Sequence, residues 1–379
     1  MKQNSFLSVC IDSSMDRVPG FEPGGYRFES CSVHISGHPL QKKGVLFYKG
    51  EQVIHCEDHC PCCSGDEYGT CCKPFHEGVF PENALKLMRS RYSAYVLNIP
   101  DYIIATTHPA SPEYSENKFS WKRSLSRFSQ DSSFTKLEVL DFKEKNTVAT
   151  VVFTAYLTQD RRDATFTEKS YFEKVGRRWL YRGGQLVSGH APNLVTTGQL
   201  RLLPLAYYGD AVLRKKADVV TDVTEDIKKL VEEMIETMDA SDGVGLAAPQ
   251  VHHSIRLFVI RTPIEKEGGK FDLGDVKVFI NPKISSPSKE TWMASEGCLS
   301  IPGVRSSVER PKEITVEYTT LEGTVVSHRF FGWEARVIMH ENDHINGVFF
   351  IDRLPSKEKL ELAPFLQNLE KRIHDNLNL

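Results

Sequence analysis

Apolar residues recur at intervals of three and four in two stretches of the chain, a spacing that places them on one face of a helix. After Asn83 the apolar face consists of Leu85, Met88, Tyr92, Tyr95 and Val96. After Thr224, a residue type that caps helix N-termini, it consists of Ile227, Leu230, Val231, Met234, Ile235 and Met238. The pattern predicts a helix that opens at 81–83 and a second that ends near Asp242 and Gly243.

Two further helices are predicted in the last fifty residues or so of the chain. One runs from about 333 to 345 and ends near Gly347, because glycine is common just past a helix C-terminus. The other begins at Ser356 and is charged and amphipathic. Runs rich in β-branched and aromatic residues, bounded by turn residues, predict strands. They lie at 45–48, 147–157, 165–175, 179–186, 257–260, 276–280 and 314–318.

These elements predict the α+β class, and 379 residues are too many for one typical domain. A helix followed by a β meander predicts a small α+β domain at 81–187, preceded by a cysteine-rich segment at 56–80. Residues 188–199 are mostly small or polar and contain Pro and Gly, which indicates a linker. A second α+β domain is predicted at 200–379. Residues 1–55 are rich in Gly, Ser and Pro, and no role is predicted for them.

Composition narrows the class of protein. Hydrophobic residues make up 40% and charged residues 26% of the chain, which is typical of a globular protein. The net charge of −3 gives no general reason to bind nucleic acid or an anionic membrane. Neither a membrane-spanning run nor a secretory signal is expected, so a cytoplasmic location is predicted. Thiols stay reduced there, so clustered cysteines among the nine present are expected to bind metal.

The first candidate site is the string 340–344, in which His340 and His344 flank Glu341. Residues four apart lie on one face of a helix, so both imidazoles can bind one metal ion and the glutamate can reach a water beside it. A solvated, charged helix face is the alternative. The apolar residues Val337 and Ile338 before the string argue against it, because they indicate a helix that runs through the core.

A catalytic site of this kind needs a third protein ligand and an open position. Downstream of His344, Asp352 and His374 are the candidates that an endopeptidase would use. Upstream, Cys298 is the only cysteine in the C-terminal half. A lone cysteine is most often an inert apolar residue. However, Gly297 and the nearby Pro302 and Gly303 indicate a backbone held at an unusual angle.

The third segment is the small-residue string GVGLAAPQ at 243–250. It lacks the lysine of a phosphate-binding loop and the spacing of a dinucleotide-binding motif. Together, GVGLAAPQ, EGCLS at 296–300 and HENDH at 340–344 resemble the three motifs of the peptide deformylase family, in order. The resemblance covers about residues 200–379 and implies the fold of that family, with a central metal-bearing helix among antiparallel strands.

The resemblance also implies an activity and the roles of individual residues. The activity is removal of the N-formyl group from the N-terminal methionine of nascent chains. Cys298, His340 and His344 would hold Fe²⁺, with Zn²⁺ or another divalent ion as a substitute, and Glu341 would move the proton. The positions expected to bind the oxyanion or the substrate, or to support these contacts, are Gln250, Leu299, Gly245, Val244 and Gly297.

The second candidate site is a cysteine cluster in the N-terminal half, in which C-x-C is followed by eight residues and then by C-C. Four thiolates at this spacing can close a structural zinc site, and the segment resembles the SEC-C zinc motif. Residues 60 to about 190 resemble the YchJ-type family, in which that motif precedes an NTF2-like domain. The resemblance implies Zn²⁺ at Cys60, Cys62, Cys71 and Cys72. Cys63 stands where glycine is usual, so five thiols compete for four positions.

Three functions are compatible with these sequence features. The leading hypothesis is a deformylase that acts on formyl-methionyl peptides and nascent chains and has an accessory domain stabilised by a structural zinc ion. An endopeptidase built on the two-histidine string is the second. The third is a non-catalytic adaptor on the ribosome, to which the C-terminal helix could dock.

Overall fold

The computed structural model describes residues 46–49, 52–54, 59–266 and 270–377. Strand β1 (Leu46–Lys49) pairs antiparallel with β2 (Gln52–Ile54), in agreement with the strand predicted at 45–48. The other residues of the N-terminal segment without a predicted role lie outside the described residues, as does Cys56 at the start of the cysteine-rich segment.

Four helices follow β2 in the described part of the N-terminal half: α1 (Lys73–His76), α2 (Ala84–Val96), α3 (Pro100–Ala105) and α4 (Lys118–Asp131). Helix α2 is the helix predicted after Asn83, whose side chain caps it by accepting a hydrogen bond from the Lys86 N–H at 2.9 Å. The sequence pattern does not predict α4, because serine, a poor helix former, recurs along it. Its buried face of Trp121, Leu125 and Phe128 nevertheless has helical spacing.

One antiparallel sheet follows these helices. Its strands are β3 (Ser132–Lys145), β4 (Val148–Gln159), β5 (Arg162–Asp163), β6 (Phe166–Val175) and β7 (Arg178–Ser188). The strand order is β3-β4-β6-β7, and the short β5 pairs with β4. The three strands predicted at 147–157, 165–175 and 179–186 are β4, β6 and β7. Strand β3 has no sequence prediction, because its edge position leaves many charged side chains half-exposed and hides the alternation.

The connection between the halves lies against the N-terminal sheet. A short 3₁₀ turn spans Pro192–Leu194, and Leu194 is buried. The backbone N–H of Ala191 donates to the hydroxyl of Thr167 on β6 at 2.8 Å. Residues in the predicted linker are therefore held by specific contacts.

The C-terminal half contains α5 (Glu225–Ala240), α6 (Gly332–His344) and α7 (Ser356–Leu377). Thr224 caps α5 as predicted, accepting from the Ile227 N–H at 3.4 Å. The strands are β8 (Gly245–Ala247), β9 (Leu257–Ile260), β10 (Pro263–Lys266), β11 (Lys270–Leu273), β12 (Lys277–Ser285), β13 (Thr291–Cys298), β14 (Ile301–Pro311), β15 (Glu313–Thr319) and β16 (Val325–Phe331). Five of them form a sheet in the order β16-β15-β12-β9-β8, and β10-β11 and β13-β14 form hairpins.

Two apolar clusters cover the opposite faces of the five-stranded sheet. On β9, Leu257 and Val259 join the cluster that contains α5, whereas Phe258 and Ile260 join the cluster that contains Ile338 of α6. Successive residues of a strand point to opposite faces, so a fully apolar strand fits this buried position. The α+β class predicted for the chain is confirmed, with α6 buried against the sheet.

The two halves pack against each other. Ala110 of the N-terminal half is 3% exposed and belongs to the apolar core of the C-terminal half. The Tyr207 hydroxyl donates to Oε2 of Glu173 and accepts from Nε of Arg182, both at 3.0 Å. The Tyr207 ring also contacts His108, with ring centroids 5.3 Å apart. Within the described residues, no helix combines the length and apolar character that a membrane crossing requires.

Candidate metal centre

Helix α6 positions the two histidines of the 340–344 string. Residues four apart share a helix face, and this face is directed into the protein, since His340 is 9% and His344 is 1% exposed. The backbone N–H of Gly347 bonds to the carbonyl of His344, and its φ of +72° is the left-handed conformation that ends helices. The sequence prediction of a buried helix that ends near Gly347 is thereby confirmed.

The β13-β14 hairpin brings Cys298 to these histidines. The register of the hairpin shifts between Gly297 and Cys298, and such an irregularity re-aims a side chain. The Sγ atom of Cys298 lies 3.2 Å from Nε2 of His344. The ligand atoms of Cys298, His340 and His344 all lie within 4.8 Å of one another, which is close enough to surround a single ion.

The orientation of the two histidine rings, like the distances between the ligand atoms, suits a metal ion. Nδ1 of His340 lies 2.9 Å from Oε2 of Glu296, an acceptor, so Nε2 is the nitrogen left for an ion. His344 presents Nε2 to the thiol. One thiolate and two imidazoles suit Zn²⁺ or Fe²⁺. The donor set present therefore fits the divalent ion that the sequence predicts.

Glu341 lies beside this cluster and is 4% exposed. Its Oε2 atom is buried and has no hydrogen-bond partner among the described residues. Burial raises the pKa of Glu341 to about 7. A Cβ atom at Gly245 would lie 2.4 Å from Oε1 of Glu341, so any side chain at position 245 would have to displace that carboxylate.

The side-chain amide of Gln250 has a fixed orientation. Its Oε1 accepts the backbone N–H of Ala247 at 2.8 Å, so the amide nitrogen must face the other way. That nitrogen lies 3.2 Å from the Ser300 hydroxyl and 3.6 Å from Sγ of Cys298. A hydrogen-bond donor therefore stands next to the three candidate ligands.

A buried ionic network supports the site. No role was predicted for its members from the sequence. Arg310 donates to both carboxylate oxygens of Glu296, at 2.9 and 2.8 Å, and to Asp343 at 2.8 Å. Arg336 donates to Oε1 of Glu296 at 2.6 Å. Burial alone would raise the pKa of Glu296, but the hydrogen bonds from Arg310 and His340 hold it well below its usual range. Glu296 is therefore ionised beside His340.

Only one signal in the sequence could have pointed to Glu296. It stands two residues before Cys298 in the EGCLS string, so it is near a candidate ligand. Its arginine partners come from β14 and α6, and nothing local associates them with it. The network depends on the tertiary fold.

The candidate centre opens into a cavity of about 630 Å³. Val244, Gly297 and Leu299, the remaining predicted site residues, line it together with Cys298 and His340. The N-terminal half and α7 also contribute to the wall. Their lining residues are Pro109, Ala110, Ser111, Pro112, Tyr114, Glu116, Arg182, Phe365 and Arg372.

The second predicted metal site lies in the N-terminal half. Four thiols, those of Cys60, Cys62, Cys71 and Cys72, lie within 4.8 Å of one another. Cys63 is exposed and stands apart from them, and its Sγ accepts the backbone N–H of Leu137 at 3.3 Å. Cys63 has a φ of +56°, which explains why glycine suits this position in the motif.

The turn between the two cysteine pairs is packed onto α2. The backbone N–H of Cys63 donates to the carbonyl of Cys60 at 3.1 Å, which closes the first turn. Arg89 of α2 donates to the carbonyl of Cys62 at 2.7 Å. The four-thiol cluster is thus tied to the first long helix of the N-terminal half.

A cluster of one half-buried thiol and two buried imidazoles beside a helix carboxylate is typical of hydrolytic metal enzymes. Comparison with known proteins gives a family. The family model described as polypeptide deformylase matches residues 202–360, and the model for the middle NTF2-like domain of YchJ matches residues 83–184. The chain belongs to the peptide deformylase family, and its N-terminal half contains an NTF2-like domain.

Individual relatives agree with the family model. A peptide deformylase of Pseudothermotoga lettingae is 46% identical over 154 residues, which are 41% of this chain and 84% of that protein. One from Thermotoga maritima is 44% identical over 167 residues, 44% of this chain and 95% of that protein. The crystal structure of the Thermotoga maritima peptide deformylase matches with 44% identity and a TM-score of 0.37, covering 41% of this chain and 98% of that one.

Proposed function

We propose that this chain removes the N-formyl group from the N-terminal methionine of nascent polypeptides, using a divalent metal ion held by Cys298, His340 and His344. The observation that carries the proposal is the meeting of these ligand atoms within 4.8 Å, beside the buried carboxylate of Glu341. Membership of the peptide deformylase family supports it.

Both Fe²⁺ and Zn²⁺ are compatible with the ligands, and we propose Fe²⁺ as the native ion. A divalent ion bound there supplies a Lewis acid that polarises the formyl carbonyl and acidifies a water molecule. Cys298 must be deprotonated to bind, which makes the site sensitive to oxidation.

Glu341 is the residue that moves the proton in this proposal. Its Oε2 atom has no partner within the described structure, so it is available to take a proton from the attacking water. The same carboxyl then gives the proton to the leaving amine. Gly245 supports this role, because its missing side chain leaves the space that the Glu341 carboxylate occupies.

Gln250 and the backbone N–H of Leu299 are proposed to bind the oxyanion that develops on the formyl group. The bond from Ala247 to Oε1 of Gln250 holds the amide nitrogen toward Cys298 before any substrate arrives. Donors fixed in this way lose nothing to reorganisation during the reaction, and removing one typically costs about 2.7–4 kcal/mol.

The substrate is proposed to bind as an extended strand near Val244 and Gly297. Strand β8, which follows Val244, is at the edge of the five-stranded sheet, and β13, which contains Gly297, pairs only with β14 among the described strands. Backbone groups along such edges can pair with an added peptide strand. An apolar part of the cavity would accept the methionine side chain.

The four-thiol cluster is proposed to hold a structural Zn²⁺. Cys60, Cys62, Cys71 and Cys72 provide a closed set of four sulfur ligands, as structural zinc sites do. The role proposed for this ion is to fold the segment before α2, with no chemistry of its own.

The two competing functions are less well supported. An endopeptidase would need a ligand downstream of His344, but Asp352 is paired with Arg214 and also accepts the Phe349 N–H at 2.8 Å. A non-catalytic adaptor has no need of an intact Cys298, Glu341 and Gln250. Ribosome docking by the C-terminal helix and a cytoplasmic location remain predictions.

The deciding experiment is anaerobic purification followed by metal analysis and turnover of a formyl-methionyl peptide. Glu341→Gln should retain the metal, and its rate of peptide turnover should fall by at least about 100-fold. The matched control is Glu334→Gln, on the same helix, whose carboxylate pairs with Lys277. If Glu341→Gln turned over the peptide as fast as the parent, Glu341 would not be the proton carrier.

A further inference from the structure

The cavity at the metal centre has a wall that a deformylase domain alone does not supply. Pro109, Ala110, Ser111, Pro112, Tyr114 and Glu116 all line it, and they belong to the NTF2-like half of the chain. We call these residues the 109–116 segment. At about 630 Å³ the cavity is as large as the sites that hold whole drug-sized ligands, so it has room for more than a formyl-methionyl group.

The beginning of the 109–116 segment is fixed to the catalytic half. Ala110 is buried in the C-terminal core. Arg182 donates to the carbonyl of Ala110 at 2.5 Å and to the hydroxyl of Tyr207 at 3.0 Å. One guanidinium therefore ties the segment to the domain interface.

The end of the segment is fixed by α7. Arg372 forms an ion pair with Glu116, and its guanidinium carbon lies 5.0 Å from the centroid of the Tyr114 ring. The same guanidinium lies 5.8 Å from the ring of Phe365, which also lines the cavity. Both ends of the segment are thus held before a substrate binds, and a preformed wall adds little ordering cost to binding.

We propose that the 109–116 segment is part of the substrate cleft and contacts polypeptide residues that follow the formyl-methionine. The inference rests on the deformylase function proposed above. The Glu116 side chain is 51% exposed, so its charge is accessible to a bound chain. The ligand is an extended polypeptide, and the charge at position 116 sets part of the preference for acidic or basic residues downstream of the methionine.

The test compares three formylated peptides on the full-length protein. One is formyl-Met-Ala-Ser, and the other two extend it by either two aspartates or two lysines. Glu116→Lys should raise the ratio of kcat/KM for the acidic over the basic peptide by about two- to fivefold, the size expected of one exposed charge contact. Glu116→Gln, which changes the shape least, should give a smaller shift in the same direction. Formyl-Met-Ala-Ser, which has neither charged extension, is the reference substrate for each variant.

The matched control is Glu82→Lys. Glu82 lies in the same half, is exposed and pairs with Lys86, and it does not line the cavity. An unchanged ratio in both Glu116 variants, or an equal shift in Glu82→Lys, would overturn the inference. An equal loss on all three peptides would also overturn it, because it would mean that Glu116 only supports the fold. If the parent does not turn over formyl-Met-Ala-Ser, the proposed function itself fails, and the inference with it.

Discussion

The carboxylate of Glu296 fixes the ring of His340, with Oε2 at 2.9 Å from Nδ1. An ionised carboxylate accepts the Nδ1 proton, so the ring must present its other nitrogen to an ion. Arg310 and Arg336 in turn hold the carboxylate from two sides. The orientation of one candidate ligand thus depends on three residues that do not bind the metal.

Glu296→Gln should lower the affinity for the catalytic metal by about 10- to 100-fold. An amide oxygen is a weaker hydrogen-bond acceptor than a carboxylate, so it would hold the His340 ring less firmly. Metal retention against a chelator, measured by elemental analysis, checks this. Glu309→Gln on β14 is the control, since Glu309 is exposed and bonds to Thr291. An affinity equal to that of the parent would show that Glu296 does not support the ligand.

Gly245→Ala should lower kcat by about 100-fold, the cost of misplacing a catalytic group by an ångström or so. The added methyl would lie 2.4 Å from Oε1 of Glu341 and must push the carboxylate away. Metal content should stay at the parent level, because the contact is with Glu341 and not with a ligand. Steady-state kinetics and metal analysis on the same sample test both statements, and an unchanged kcat would contradict the proposed geometry.

The two metal sites should be lost independently. Cys298→Ser should remove the catalytic metal and the activity, while the zinc at the four-thiol cluster stays. Cys71→Ser should remove the zinc, while the catalytic metal and the activity stay. Elemental analysis per chain is the measurement. Cys63→Ser is the matched control and should keep both metals, because Cys63 stands outside the cluster. Loss of zinc in Cys63→Ser would place this thiol among the ligands instead.

Glu173 should make the protein less stable as the pH rises. Burial raises its pKa from 4.5 to about 7, against the opposing effects of Arg182 and the Tyr207 hydroxyl. The folded state keeps a proton that the unfolded chain releases above about 4.5, so the free energy of unfolding falls between pH 4.5 and 7 by up to about 3 kcal/mol.

Denaturant unfolding at several pH values tests this linkage. Glu173→Gln, which carries no titratable proton, should flatten the pH dependence in that window and raise stability at pH 7.5. Glu77→Gln is the control, because the Glu77 side chain is 62% exposed. A parallel pH profile for Glu173→Gln and the parent would exclude a buried carboxyl as the cause.

The candidate metal ligands could be predicted because each lies in a segment with a strong local signal. His340 and His344 are four apart on a helix, and Cys298 stands beside Gly297 in a motif of its own. The helix and its end at Gly347 follow from spacing and from glycine's backbone freedom. Local chemistry therefore identified the elements that the fold brings together.

Features that depend on distant partners could not be predicted. Glutamate is a residue type that is mostly exposed, and only the fold shows that two arginines and a histidine surround the carboxylate of Glu296. The β13-β14 hairpin was missed because polar and charged residues are frequent in both strands, so neither has the run of β-branched and aromatic residues that predicts a strand. The contribution of the 109–116 segment to the cavity could not be predicted either, because nothing in its sequence associates it with residues more than a hundred positions away.

The burial of Ala110 within the core of the other half has a practical consequence for handling the protein. A catalytic fragment obtained by cutting at 188–199 would lose a piece of its own interior and uncover Tyr207 and the apolar residues around it. Such a fragment would be prone to self-association. The join between these halves is therefore unlike a tether between independent modules.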